Sequence, residues 1–386
     1  MNVRDLVNFS SEILIPRGDV SDFAVVACDQ FSSNPEYWHA LSKTMPPNSA
    51  LELILPECFL YEKEKRLKSI SEAYGKMGAD RFYPVTGTVA VTRSTAFGRT
   101  RRGIVAPINL DCYDYKTGNK ALIRASERTV EDRIPPRVAI REAIGVEMPH
   151  ILLLVDDKDF LIDKAVDSVK RTTLYDCDLR GGGGHIKGEL ITDPKPLYEA
   201  CEKIISQMES KFSQSLFSLV GDGNHSLATA KHCATAKKTP LNGMALVEIE
   251  NIYDEGLVFE PIHRLVKCAD KKAFTDGFRA AVKGDAVTEL YIPEPVTVSV
   301  PSDKVQAIIE VDKFCEDFVK KHGGDVDYVH GEDMLRRDGH IGIRMREVGR
   351  GELFGYVLDN GVLPKKTFSL GEAQEKRFYV EARKIK

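Results

Sequence analysis

Residues 215–238 read SLFSLVGDGNHSLATAKHCATAKK. The apolar run 215–220 predicts a buried strand. Gly221-Asp222-Gly223-Asn224-His225-Ser226 follows, and 227–238 predicts a helix that starts at once. Two glycines let the backbone turn sharply and approach a ligand closely. The N–H groups at the start of the helix favour an anion such as phosphate. Asp222 could hold a metal or a hydroxyl group, and His225 could bind phosphate or move a proton. The segment lacks the Gly-Lys-Ser/Thr ending of a Walker A loop. Ser226 also stands where the third glycine of a dinucleotide fingerprint would be. The bland alternative is a tight turn in which Asn224 or Ser226 caps the helix.

Outward from this segment, strands and helices mix without strict alternation, which predicts a mixed α/β (α+β) fold. Strands are predicted at 85–94, 103–115, 151–157, 244–252 and 257–266, and helices at 136–147 and 195–212. Residues 34–78 read as mostly helical, broken near Pro46 and Pro47. Beyond 267 the texture changes: helices are predicted at 271–284 and 302–321, with strands in DVDYVHG, HIGIRMREV and ELFGYVLD. Three regions are expected, at 1–102, 103–268 and 269–386.

The chain has 386 residues, 42% hydrophobic and 29% charged, with a formal net charge of -4, so it can bury a sizeable core. That balance disfavours a protein built to coat nucleic acid. Arg99-Thr100-Arg101-Arg102 reads as a charged turn. No run of 18 apolar residues suggests a membrane span, and the first residues carry no signal-peptide pattern. The eight cysteines form no CxxC or zinc spacing and read as free thiols in a reducing compartment. A cytoplasmic location is expected; oligomeric state is not legible.

GDGNHSLATAK (221–231) resembles the Asp-Gly-His-His-Arg-Tyr…Ala signature of the domain-of-unknown-function family 1015. The blocks VVACDQFSSNPEYW (25–38), IRASERTVEDRIPPRVAIREAIGVEMPHILLLVDD (123–157) and ALVEIENIYDEGLVFEPIHRLV (245–266) resemble further family blocks in order. So do YVHGED (328–333) and GVLPKKTF (361–368). The glycine loop is more distantly similar to that of the ParB/sulfiredoxin superfamily, which includes a free serine kinase. This resemblance implies a ParB/sulfiredoxin-like nucleotide-binding core with additional α/β elements. It implies a nucleotide-dependent phosphotransferase acting on a small hydroxyl-bearing metabolite, with free serine the sharpest acceptor. ATP or ADP and Mg²⁺ are the implied cofactors. Alternatives are a nucleotide-binding regulator without phosphotransfer and, last, a metal-dependent hydrolase.

On this resemblance Glu127, His225 and His263 are the catalytic candidates. Asp222, Gly223, Asn224, His225, Ser226, Arg128, Thr129, Arg133 and Arg264 are the nucleotide-binding candidates, with Asp222 also the metal ligand. Asp29, Asn34, Arg180, His185, Tyr328 and His330 are the substrate-binding candidates. Each has a structural alternative: salt bridges for Glu127 and the arginines, caps for Thr129 and Asn34, a satisfied strand-end residue for His263. Arg180 and His185 flank Gly181–Gly184, which reads either as a lid or as a surface loop. Three positions depart from the family pattern. Asn224 and Ser126 stand where histidines are usual, and Ser226 replaces an arginine that would be a bidentate phosphate donor.

Overall fold

The computed structural model describes residues 2–32, 34–292, 294–329 and 331–386. The chain divides into two compact units, 1–257 with 373–386, and 258–372. The cut expected at 102 falls inside a strand, Thr100–Asn109, and residues 373–386 fold into the first unit.

Among the described residues, nine strands of the first unit form one mixed sheet. In chain order they are β1 (Thr88–Ser94), β2 (Thr100–Asn109), β3 (Tyr113–Asp114), β4 (Ile123–Ala125), β5 (Leu152–Val155), β6 (Arg171–Leu179), β7 (Gly184–Ile191), β8 (Ser218–Asp222) and β9 (Met244–Asn251). Their spatial order is β6-β7-β1-β2-β9-β5-β8-β4-β3. The pairs from β6 to β9 are antiparallel. β5 is parallel to β9 and antiparallel to β8, and β4 is parallel to both β8 and β3.

The strand period of two divides β9 between two layers. Ala245, Val247 and Ile249 pack with Leu197, Cys201 and Ile204 of the helix Lys195–Phe212. Leu246 joins Val89, Val91 and Val105 in a second core, with Trp38, Phe23 and the returning Phe378 and Val380. Glu248 and Glu250 alternate onto that second face and are buried. Two strand predictions break where turn residues stand: Gly87, at φ +144°, separates Phe82–Thr86 from β1, and β2 ends before Tyr113–Asp114.

The second unit holds a five-stranded antiparallel sheet: β10 (His263–Lys267), β11 (Ala286–Tyr291), β12 (Pro295–Val300), β13 (Asp325–Val329) and β14 (His340–Ile343), in the order β12-β11-β14-β10-β13. Helices Lys271–Ala281 and Lys304–His322 belong to this unit. ELFGYVLD, expected as a strand, lies in the helix Arg350–Asn360. Glu352 Oε2 accepts from the Gly349 N–H at 2.7 Å and fixes the first turn, and Leu353, Phe354, Val357 and Leu358 form its buried stripe. Phe259–Pro261 pairs with Phe368–Leu370, and the Gly371 N–H donates to Val258 O at 2.9 Å.

Candidate functional site

Strands β4 and β8 run parallel, with Ala125 opposite Val220, so both release their chains at one edge of the sheet. Carboxyl ends of adjacent parallel strands are a common place for a ligand crevice. β8 ends at Asp222, Gly223 turns at φ +80°, and a helix runs from Asn224 to Ala236. Gly223 itself is the N-cap, so neither Asn224 nor Ser226 fills that role, and no side chain closes the helix N-terminus. The Asp222 carboxylate accepts from the Gly223 N–H at 2.9 Å and steadies the turn. A Cβ on Gly223 would lie 2.9 Å from Ile151 Cα, on top of the positive φ. Gly223→Ala is therefore expected to cost about 1–3 kcal/mol and to displace the loop. Thermal unfolding and nucleotide titration of this variant check both effects.

The segment after β4 is pinned to this loop. Ser126, in the position of a family histidine, is fully buried and donates its hydroxyl to Val220 O. The Val130 N–H donates to His225 Nε2 at 3.2 Å. Between these anchors lie Glu127, half-buried, and Arg128, exposed; Arg133 is exposed at the helix that follows. Thr129 Oγ1 and Asn224 Oδ1 are buried without a hydrogen-bond partner. Both atoms keep free hydrogen-bonding capacity at the start of the helix Asn224–Ala236 and the segment pinned to it.

Four further residues complete the site. β5 is antiparallel to β8, so its start lies at the end of β8, and His150 is there. His150 Nε2 meets Ser226 Oγ at 3.0 Å and Asp29 Oδ2 at 3.7 Å. His150 Nδ1 meets Tyr379 Oη at 2.8 Å, and Tyr379 in turn donates to Cys28 Sγ at 3.2 Å. Lys376 Nζ stands 3.5 Å from Asp222 Oδ2. Burial opposes ionisation of Asp29, but His150, the Gln30 hydrogen bond, Lys376 and Arg137 outweigh it and hold the carboxyl below its ordinary value. Burial, with Asp29 beside it, pushes the Cys28 thiol up to about 11, so it is a thiol at neutral pH rather than a nucleophilic thiolate. An apolar cavity of 130 Å³ opens beside Ser226 and His150, lined by Ile54, Ile140 and Met148.

Of the residues singled out from sequence, Asp29, Glu127, Thr129, Asp222, Gly223, Asn224, His225 and Ser226 lie in this neighbourhood. Others are engaged elsewhere. Asn34 caps the helix Pro35–Thr44 through Tyr37 N at 3.3 Å. Arg180 binds Asp22 at 2.5 Å, and His185 sits between Asp176 and Asp178 at 2.7 and 2.8 Å. Those two aspartates raise the pKa of His185. Gly181–Gly183 lie in the connection of the β6–β7 hairpin and Gly184 opens β7: Gly183 O accepts from Arg93, and a Cβ on Gly184 would meet Ser94 O. The basic residues at 99–102 do not form an open turn: Arg99, Arg101 and Arg102 pair with Glu375, Glu250 and Asp167.

His263, Arg264 and Tyr328 belong to the second unit, and His330 lies outside the described residues. Neighbours on a strand point to opposite faces, so His263 and Arg264 do not share one pocket. Arg264, fully buried, forks onto Asp312 at 2.7 and 2.8 Å and stacks over Tyr328. Among the described residues no three His, Cys, Asp or Glu side chains group as a metal site.

Solved structures that align with part of the chain include a conserved hypothetical protein from Pyrococcus furiosus, 12% identical, with a TM-score of 0.35 over 69% of this chain and 91% of that one. A free serine kinase in complex with AMP is 11% identical, with a TM-score of 0.41 over 73% and 92% of the two chains. SbnI from Staphylococcus aureus, truncated at its C-terminus, is 9% identical, with a TM-score of 0.40 over 71% and 85%. No curated protein matches the chain. The profile of a protein family of unknown function, DUF1015, matches residues 11–353, and the chain belongs to that family.

Proposed function

We propose that the Asp222–Ser226 loop binds the phosphates of a nucleotide and that the chain transfers a phosphoryl group to a small hydroxyl-bearing metabolite, with free serine the first acceptor to test. The observation that carries this reading is a lysine, Lys376, held beside Asp222 at a helix N-terminus that no side chain caps. Backbone amides and a lysine cation together are a phosphate cradle. Thr129 Oγ1 and Asn224 Oδ1, buried and unpartnered, face the need for a polar ligand. The apolar cavity beside Ser226 suits a flat ring such as a nucleobase.

In the transfer, the acceptor hydroxyl oxygen forms a bond to the terminal phosphorus. The bond from that phosphorus to the bridging oxygen breaks, and the nucleotide leaves one phosphate shorter. Glu127 takes the proton of the acceptor hydroxyl. Lys376 and the helix N-terminus balance charge on the leaving phosphate. His225 holds the 127–130 segment in place through Val130. The residues present do not form a resident metal site, because Asp222 is committed to Gly223 N–H and Lys376. Mg²⁺ enters this reading only as part of the nucleotide substrate.

A nucleotide-binding regulator is the second reading. Ser226, in the position of a family arginine, spends its hydroxyl on His150 and supplies no forked cation. Consumption of ATP, ADP and CTP with Mg²⁺, each with and without serine, tests the choice. Serine-dependent product, lost in Glu127→Ala and His225→Ala by at least roughly 100-fold, is the expected result. Tight binding without turnover would establish the regulator instead, and absence of both would reject the site.

A further inference from the structure

The second unit contains a cavity of 580 Å³ walled by its own residues. Charged side chains surround it: Glu289, Lys304, Glu332, Arg344, Arg346 and Glu347. Four of the six are spent on ion pairs. Arg344 pairs with Glu289 at 3.3 Å and Glu332 at 2.5 Å, and Lys304 pairs with Glu352 at 2.7 Å. Two are not. Arg346 donates through Nη2 to the neutral carbonyls of Pro301 and Ser302, and its Nε is buried without a partner. Glu347 is exposed and makes no ion pair among the described residues. The cavity therefore keeps one uncompensated cation and one uncompensated anion.

His263 adds a directed donor. It lines the cavity and is 2% exposed. Its Nδ1 accepts from the Met345 N–H at 3.1 Å, which places the proton of the neutral ring on Nε2. No hydrogen bond to Nε2–H is found among the described residues, and the residue lines the cavity. Burial outweighs the nearby Glu332, with Arg344 and Arg264 acting in the same direction as burial, and lowers the His263 pKa to about 4. The ring is neutral at pH 7 and is a hydrogen-bond donor there rather than a charge.

A simple anion would meet three carboxylates at this cavity, and a simple cation would meet three basic side chains. A neutral guest would leave both Arg346 and Glu347 without a counter-charge. We infer that the cavity of the second unit binds a small zwitterion, its carboxylate on Arg346 and His263 Nε2–H and its ammonium on Glu347. α-Amino acids are the simplest ligands of that chemistry. The inference stands independently of the nucleotide reading, because every residue it uses lies within 258–372 and no nucleotide is needed for its test.

The test is calorimetric titration of the full chain at pH 7 with glycine, serine, glutamate, lysine and phenylalanine. Acetate, methylamine and inorganic phosphate serve as single-charge probes. At least one amino acid is expected to bind, with acetate and methylamine at least roughly tenfold weaker. Glu347→Gln, an exposed change that leaves the fold intact, is expected to weaken that binding roughly tenfold, and Arg346→Met by at least as much. Saturation is expected to shift the His263 imidazole nitrogen resonances. Failure of all five amino acids up to about 10 mM would overturn the inference. So would binding unchanged in Glu347→Gln, or phosphate binding more tightly than any of the five.

Discussion

Arg377→Met is expected to lower the stability of the first unit by about 3–5 kcal/mol, because it removes one partner from a buried charge network. Arg377 is 2% exposed. Its guanidinium reaches Glu248 on β9, Glu381 at 2.5 Å and the Pro149 carbonyl at 3.1 Å. Burial works against ionisation of Glu248, and Arg377 with Arg101 outweighs it, so the carboxyl is held below its ordinary value. Its neighbour Glu250 is pushed well above the ordinary value by burial, against the pull of Arg101. Without Arg377 the charge on Glu248 has lost its main counter-ion. A urea titration reads the loss directly. The exposed pair Lys195–Glu199 is the control: Lys195→Ala should leave the midpoint nearly unchanged. A wild-type midpoint for Arg377→Met would show that the network does not hold the C-terminal return in place.

The second large effect is on binding. Lys376→Met is expected to weaken ADP binding roughly 10- to 100-fold, the worth of one or two hydrogen bonds to a charged group. Lys376 adjoins the cation Arg377 and is itself mostly buried, so its ammonium has little freedom to leave the loop. The companion Asp222→Asn keeps an acceptor for the Gly223 N–H and removes the charge that competes with phosphate for Lys376. It is expected to bind ADP at least as well as the unaltered chain. Titration calorimetry separates the two. Equal affinity for ADP in Lys376→Met and the unaltered chain would remove this lysine from the phosphate site.

The loop was legible because strand, turn and helix signals all fall within 24 consecutive residues. The helix Lys195–Phe212 was legible for the same reason: its apolar stripe is local and uninterrupted. His150, Lys376 and Tyr379 were not. Nothing in MPHILLLVDD marks His150 as facing Ser226; the antiparallel register of β5 on β8 puts it there. Lys376 is 154 residues from Asp222 and Tyr379 is 229 from His150, and no short motif contains both ends of either contact. The β6–β7 hairpin escaped for another reason. Four consecutive glycines at its turn and the start of β7 read as mobility, whereas the surrounding backbone approaches too closely for any side chain at Gly184. Arg350–Asn360 was misread because Phe, Tyr and Val favour strands locally, while the buried stripe and the Glu352 contact favour a helix.

The entry and exit of the second unit lie side by side, at Val258 and Gly371. This has a consequence for synthesis on the ribosome. The loop, β9 and Glu248 emerge before any of residues 258–372, while Arg377, Lys376 and Tyr379 emerge after all of them. A chain translated only as far as residue 257 therefore has Glu248 without Arg377 and the Asp222–Ser226 loop without Lys376. The intervening 115 residues form a compact unit of their own whose two ends pair with each other. The contacts of Lys376 with Asp222 and of Arg377 with Glu248 therefore form only after residues 258–372 have been made.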